Sequence, residues 1–248
     1  MYTVDFRRLF LITCFSLLFF TACTSGLQAK EAAAPPENWQ VSIAPALSWM
    51  RPVMNICAQN SPDKVLSIVE RDSSGDDNIY LSWGELDGQS NTSIYLIGSD
   101  RLVVIVNKDN PATRISYSTL QTIYSGRAIS WQEVDPALSD QVPVQVWQYG
   151  SASQLFKQFS LMLDLMGQRQ GIQNIVPSPQ AMIEAISSDP AAIGLISERW
   201  LTPEVKLLQI DDAPVDKIKQ PILAYLKEKP GDFETTWLLC LQNQLITR

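Results

Sequence analysis

Along the chain, short alternating or β-branched runs take turns with stretches whose apolar residues recur every three or four positions. Gln40-Val41-Ser42-Ile43 reads as a first strand. Ala46 to Gln59 places Leu47, Met50, Met54 and Cys57 at helical spacing. Pro52 is tolerable only in a first turn, which allows that helix to begin later than Leu47. Val65–Val69 is a second strand, followed by the polar loop Arg71-Asp72-Ser73-Ser74-Gly75-Asp76-Asp77. Ile79–Trp83 and Ser93–Ile97 read as further short strands. Arg101 to Val106 is nearly continuous β-branched sequence, the mark of a strand buried on both faces.

The middle third is richer in helix. Ser116 to Tyr124 reads as a short helix closed by Ser125-Gly126, glycine suiting the left-handed end position. After the strand Val144–Tyr149, Ser151 opens the clearest helix, with Leu155, Phe156, Phe159, Met162, Leu163 and Met166 on one face. Its start, Ser151-Ala152-Ser153-Gln154, has the form of a capping box. Ser178-Pro179 predicts another helix, serine as cap and proline at the first position. Ile193–Ser197 and Val205–Ile210 are strands, and Phe233–Leu245 closes the chain as a helix. Such alternation predicts an α/β architecture.

The amino terminus has a different pattern. Arg7 and Arg8 precede the uncharged stretch Leu9–Ala22, whose 14 residues fall short of the ~20 needed to span a bilayer. Residues 1–22 therefore read as a secretory signal, and Phe20-Thr21-Ala22-Cys23 resembles a lipobox, in which Cys23 is lipidated and becomes the first residue. An ordinary signal peptide and an uncleaved anchor are the alternatives, since Phe20 stands where leucine is usual. Residues 23–37, rich in Ala and Pro, read as a tether holding a domain off the membrane. The expected location is extracytoplasmic, anchored by lipid in a bacterial envelope.

Composition narrows the chemistry. The 248 residues carry 19 basic and 26 acidic side chains, net −7, and 46% are hydrophobic. That is an ordinary globular composition, neither disordered nor collagen-like nor polytopic. Losing residues 1–22 would leave 17 basic against 25 acidic, net −8. With no Lys/Arg-rich run, nucleic acid is not an expected partner. The chain has no histidine, which removes Ser-His-Asp and Cys-His catalysis and imidazole metal sites together. Cys57 and Cys240 lie in apolar helical stretches. They read either as two buried small hydrophobes or as one disulfide joining the two ends of the chain. No CxxC accompanies them, so no metal site is expected.

Several motif matches fail on context. Ser61-Pro62-Asp63-Lys64 has the SxxK spacing but lies between a helix and a strand, without SDN or KTG partners. Asp72, Ser74 and Asp76 copy the first ligand spacing of a calcium loop, yet the twelfth position is Trp83. Asn91-Thr92-Ser93 is a glycosylation sequon by pattern only, and Glu85 and Asp87 read as loop charges. What remains is Gly150-Ser151-Ala152-Ser153 at a strand-to-helix junction. Free backbone N–H groups and the helix dipole make such a first turn an anion site, while plain serine capping is the alternative.

From Leu102 onward the chain resembles the phosphate-type substrate-binding proteins of ABC transporters, members of the periplasmic-binding-protein-like (type II) superfamily. Three ordered stretches carry the resemblance: Leu102 through Pro111; Leu120, Ile123, Tyr124, Ser125, Gly126 and Trp131; and Gly150–Ser153 continuing through Ala181-Met182 and Ala191–Ser197. It implies two α/β lobes with mixed sheets flanked by helices and hinge strands between them. Residues 38–106 plus 203–248 would form lobe I and 107–202 lobe II. Ser151, Ala152 and Ser153 would bind ligand from lobe II, and Ser42, Ala44, Ser73 and Ser74 from lobe I. Two positions depart from the family: Trp147 lies where its phosphate binders place an arginine, and Ala152 replaces a glycine. A dianion without a guanidinium partner loses a strong bidentate contact.

The resemblance implies capture of a small anionic or polar solute, a phosphate-like oxyanion foremost, and its delivery to an ABC permease. Neither enzyme chemistry, metal nor cofactor is expected, and the protein would be a monomer. The competing reading is a degenerate form of this fold serving as a non-transport accessory or sensory surface protein.

Overall fold

The computed structural model describes residues 36–246 except 60, 62, 76, 87, 89–91, 128, 139–140 and 167–173. The signal segment, Cys23 and the tether as far as residue 35 lie outside the described residues, as do Asp76, Asp87 and Asn91. Glu37, the last tether residue, already belongs to the first strand.

In chain order the elements are β1 (Glu37–Ile43), a 3-10 turn (Pro45–Met50), α1 (Arg51–Ala58), β2 (Lys64–Glu70), β3 (Ile79–Trp83), β4 (Ser93–Asn107) and β5 (Arg114–Ser116). Then follow α2 (Tyr117–Tyr124), α3 (Trp131–Val134), β6 (Gln145–Tyr149), α4 (Gln154–Met162), β7 (Asn174–Val176) and α5 (Pro179–Ser188). The chain ends with β8 (Ala192–Ser197), a 3-10 turn (Glu198–Trp200), β9 (Val205–Asp211), α6 (Val215–Ile218), β10 (Lys219–Leu226) and α7 (Asp232–Ile246). The α/β expectation holds.

The strands run in the order β2-β1-β3-β10-β4-β8-β6-β7, with β9 pairing both β4 and β5. β1 is parallel to β2 and β3, and β6 to β7 and β8. The two stretches expected as separate strands, Ser93–Ile97 and Arg101–Val106, are one 15-residue strand, β4. Its first half pairs with β10 as far as Arg101↔Lys219. From Leu102 it changes partners, pairing with β8 (Leu102↔Ser197) and β9 (Val104↔Leu208). Leu102–Val106 is buried on both faces, as β-branched continuity requires.

Caps decide where helices begin. Ser178 accepts from the Ala181 amide at 3.2 Å with Pro179 in the first turn, as expected. Gly126 ends α2 at φ +85°, where only glycine is unstrained. α1 begins at Arg51 rather than Leu47, with Pro52 in its first turn and the 3-10 turn before it. The capping box expected at Ser151 does not form. Ser153 is the cap, its Oγ accepting from the amides of Leu155 at 3.1 Å and Phe156 at 3.5 Å, and the side chain of Gln154 turns inward. The helix stops at Met162, short of the apolar pattern's last position, because Asp164 takes a left-handed turn at φ +57°.

Of the two readings of Cys57 and Cys240, the disulfide is realised, with Cα atoms 5.7 Å apart. It ties α1 to α7 across 183 residues of sequence. An apolar setting suited both readings, so pattern alone could not separate them. Beside it, Trp39 meets Trp237 and Phe233 edge-on at 4.8 and 4.7 Å, and the Trp237 indole donates to the Met54 carbonyl. The β1 side of the molecule is thereby pinned to the end of the chain.

Candidate functional site

Four loops converge where parallel strands end. They follow β1 (Ala44), β2 (Arg71 onward), β3 (Gly84 onward) and β6 (Gly150–Ser153). β6 delivers the chain to the amino terminus of α4, and there a residue of the β2 loop meets it: the Gln154 amide donates to the Asp72 carboxylate at 3.2 Å. A carboxylate from one part of the sheet thus sits on the amide end of a helix from another. The helix dipole favours negative charge there.

Polar side chains bridge the same junction. Gln154, only 6% exposed, donates from Nε2 to Ser82 Oγ, and its Oε1 lies 3.2 Å from the Tyr80 hydroxyl. Ser82 in turn donates to the Gly84 carbonyl at 2.6 Å. Gln158, 3% exposed, donates to the Glu85 carbonyl at 3.1 Å. Gly84 is required here twice over. Its φ is +86°, and a Cβ would come within 2.5 Å of the Gln158 amide. Burial raises the Tyr80 phenol far above its ordinary pKa, so it stays protonated and able to donate.

The sequence-predicted residues fall into two groups. Ser151 and Ala152 are exposed on the turn before α4, their amides without a backbone partner among the described residues; Ser153, partly buried, caps the helix. Ser73 is exposed and Ser74 partly buried, on the loop that carries Asp72. Ser42 and Ala44 are different: 0% and 1% exposed. The Ser42 hydroxyl donates to Asp77, and the Ala44 amide is taken by the Leu81 carbonyl at 2.8 Å.

Asp77 closes the β2 loop back onto β1. Burial alone would raise its pKa, but hydrogen bonds from Ser42 and Gln40, with Arg71 at 3.6 Å, hold it below the usual carboxylate range. A second carboxylate, Asp100, is buried where β4 changes partners. It accepts from Trp83 Nε1 at 3.2 Å, from Ser197 Oγ and from the Arg101 amide at 2.7 Å. Burial nevertheless pushes its pKa above the ordinary value. Trp147 has its indole nitrogen buried without a hydrogen-bond partner among the described residues.

Sequence reasoning missed Asp72, Tyr80, Gln154 and Gln158. Asp72 lies in the polar loop where only Ser73 and Ser74 are expected to bind, and Gln154 belongs to the expected capping box. Among the described residues no group of three or more acidic or cysteine side chains is placed to hold a metal ion.

A family model described as a PBP superfamily domain matches residues 88–221, more than half of the chain. The chain belongs to the PBP superfamily. Among solved structures it is similar to one named as a phosphate ABC transporter substrate-binding protein with bound phosphate, from Clostridium perfringens. That pair has a TM-score of 0.72 and 19% identity, covering 83% of this chain and 93% of the other. An ABC-type phosphate transport receptor from Vibrio cholerae follows at TM-score 0.64 and 18% identity, covering 84% and 97%. The CcmR regulatory domain of Synechocystis PCC6803, in complex with 2-PG, reaches 0.63 at 15% identity, covering 84% and 97%. No curated protein matches the chain by sequence. At these identities the structural likeness speaks for the fold, and the expected mixed α/β, periplasmic-binding-protein-like fold is the one found. The same fold serves transport receptors and regulators alike.

Proposed function

We propose that the protein is an extracytoplasmic solute-binding lipoprotein of an ABC-type uptake system. It holds a small anionic or polar solute, a phosphate-like oxyanion foremost, in the cleft between two lobes and presents it to a membrane permease. The observation that carries this reading is the contact between Asp72 and the Gln154 amide, because a carboxylate is itself an oxyanion. Its position marks where a solute oxygen would be received. Asp72 is exposed, and an exposed charge on a helix amino terminus contributes only about 0.3–1 kcal/mol. A solute making several such bonds can displace it.

In this reading the amides and hydroxyls of Ser151, Ala152 and Ser153 bind from one side, and Ser73 and Ser74 from the other. Ser42 acts indirectly, holding Asp77 and so the loop. Asp72 swings away as the ligand enters. No bond is made or broken; the solute favours the closed arrangement by its greater affinity for it. We place the first lobe crossing at Arg101–Leu102. The pairing of β9 with the second half of β4 supports a second crossing at the β9–β10 connection rather than at residue 203. Lipid on Cys23 would keep the protein at the membrane beside its permease.

The Asp72 contact also supports a second reading. With the amide end already satisfied and buried glutamines bridging the junction, the cleft can stay shut without a solute, and the protein would then serve as an accessory or sensory surface component. A thermal-melting panel of phosphate, sulfate, carboxylates, amino acids and sugars separates the two. Binding at a hundredfold excess over Kd stabilises by about 2.7 kcal/mol, about 5–10 °C for a chain of this size. One responding solute supports the transport reading, and a flat panel supports the accessory one.

A further inference from the structure

A separate cavity of about 770 Å³ lies against the crossing itself. Its walls include Ser99 and Arg101 of β4, Arg199 in the turn after β8, and Ile218 and Lys219 where α6 becomes β10. These segments carry the chain across in both directions. Arg101↔Lys219 is the last pair between β4 and β10, and Leu102↔Ser197 the first between β4 and β8. An adjoining cavity of about 830 Å³ shares Ser99, Arg199 and Lys219 and adds the apolar side chains of Leu96, Ile97, Pro221 and Leu245. Leu96 is 60% exposed, so part of this apolar surface faces water.

The charge in the cavity is not balanced. Arg101 pairs with Glu198 at 3.6 Å. The Asp100 carboxylate is occupied by Trp83, Ser197 and the Arg101 amide. Arg199 lies 5.3 Å from the Trp49 ring centroid and is near enough to attract the Asp100 carboxylate, while Lys219 has no ion-pair partner among the described residues. Three cations, Arg101, Arg199 and Lys219, thus line one pocket against two carboxylates, Asp100 and Glu198, on a chain of net charge −7. The surrounding field repels anions, so local cations with apolar walls select for a particular kind.

We propose that this cavity binds a small organic anion: one acidic head between Arg199 and Lys219, and an apolar body along Leu96, Pro221 and Leu245. A volume of this size suits such a molecule rather than an inorganic ion. Because the occupant touches both crossings, it bears on how the two halves move. The site is distinct from the α4 cleft and stands whether or not that cleft takes a solute.

The test is a fluorescence titration with 8-anilinonaphthalene-1-sulfonate, alongside N-phenyl-1-naphthylamine, which has the same apolar body without the acid. The expected result is one saturable sulfonate site, with the neutral probe weaker by about tenfold, the effect of losing one charge-assisted contact. Arg199→Glu with Lys219→Glu weakens the sulfonate by tenfold or more in protein that still melts cooperatively. Lys219→Glu alone gives a smaller loss and leaves the Trp49 contact in place. Val65→Gln, exposed on β2 at the end of the strand order, changes nothing. Equal affinity for the two probes, or wild-type affinity in the charge-reversed variants, overturns the proposal, as does absence of saturable binding.

Discussion

The two sides of the candidate cleft treat their polar groups in opposite ways. On the α4 side, Ser151 and Ala152 stay at the surface, ahead of a helix whose first amides are taken by Asp72 and Ser153. On the β1 side, Ser42 and Ala44 have sunk into the core, with their hydrogen bonds directed to Asp77 and Leu81. The difference follows from position in the sheet. β1 lies between β2 and β3, beneath α1 and the disulfide to α7, so the residues at its end are covered. β6 lies near the far end of the strand order, beside the three-residue β7, and its following turn is uncovered. Equivalent positions in a fold family can therefore stand exposed on one side and hold the protein together on the other.

Breaking the disulfide should have the largest effect on stability. Cys57→Ala with Cys240→Ala should lose about 2–5 kcal/mol in urea unfolding, while leaving the α4 side intact enough to bind solute. Next is the bridge between the two sides. Gln154→Leu strips Ser82 and Tyr80 of a buried partner and should lose about 1–3 kcal/mol. It should also weaken solute binding, because it disturbs the first turn of α4.

Ser42→Ala sharpens the contrast. It removes a donor from Asp77 and should lower stability by about 1–2 kcal/mol with little change in solute affinity. A large loss of affinity at unchanged stability would make the β1 side a direct ligand contact. The pH dependence has a defined sign. Asp77 is held below its ordinary pKa of 3.8, so its contribution is present above that pH and lost as pH falls through the lowered value. In Ser42→Ala that acid loss should begin at higher pH. Asp100 is raised, so its protonation strengthens the fold as pH falls through its folded pKa toward 3.8. Unfolding midpoints measured from pH 6 to pH 2 separate the two carboxylates. The smallest effect belongs to Asp72→Asn, about 0.3–1 kcal/mol, given by the same urea titration.

Much of the fold was legible because its signals are local. The β-branched run Leu102–Val106 announced a fully buried strand, and Ser178-Pro179 and Gly126 announced helix ends by their own chemistry. β10 was not read, because Pro221 inside an apolar run argues against a central strand. In the fold Pro221 sits opposite Ser99, beside an irregularity in the β4–β10 register that relaxes the ladder there. The site was half legible. The turn Gly150–Ser153 could be found from helix-start chemistry, whereas the meeting of Asp72 with Gln154 joins positions 82 residues apart. Nothing in either local sequence encodes that pairing. The choice between a disulfide and two thiols likewise depended on tertiary distance alone.

Calorimetric titration of phosphate into the wild type, Asp72→Asn, and the double variant Ser151→Ala with Ser153→Ala tests the cleft most directly. The account expects one-to-one binding in the wild type, tighter binding once the competing carboxylate is neutralised, and a loss of about tenfold or more without the two hydroxyls. Heats of dilution only, in both the wild type and Asp72→Asn, or an affinity indifferent to the serines, would contradict it.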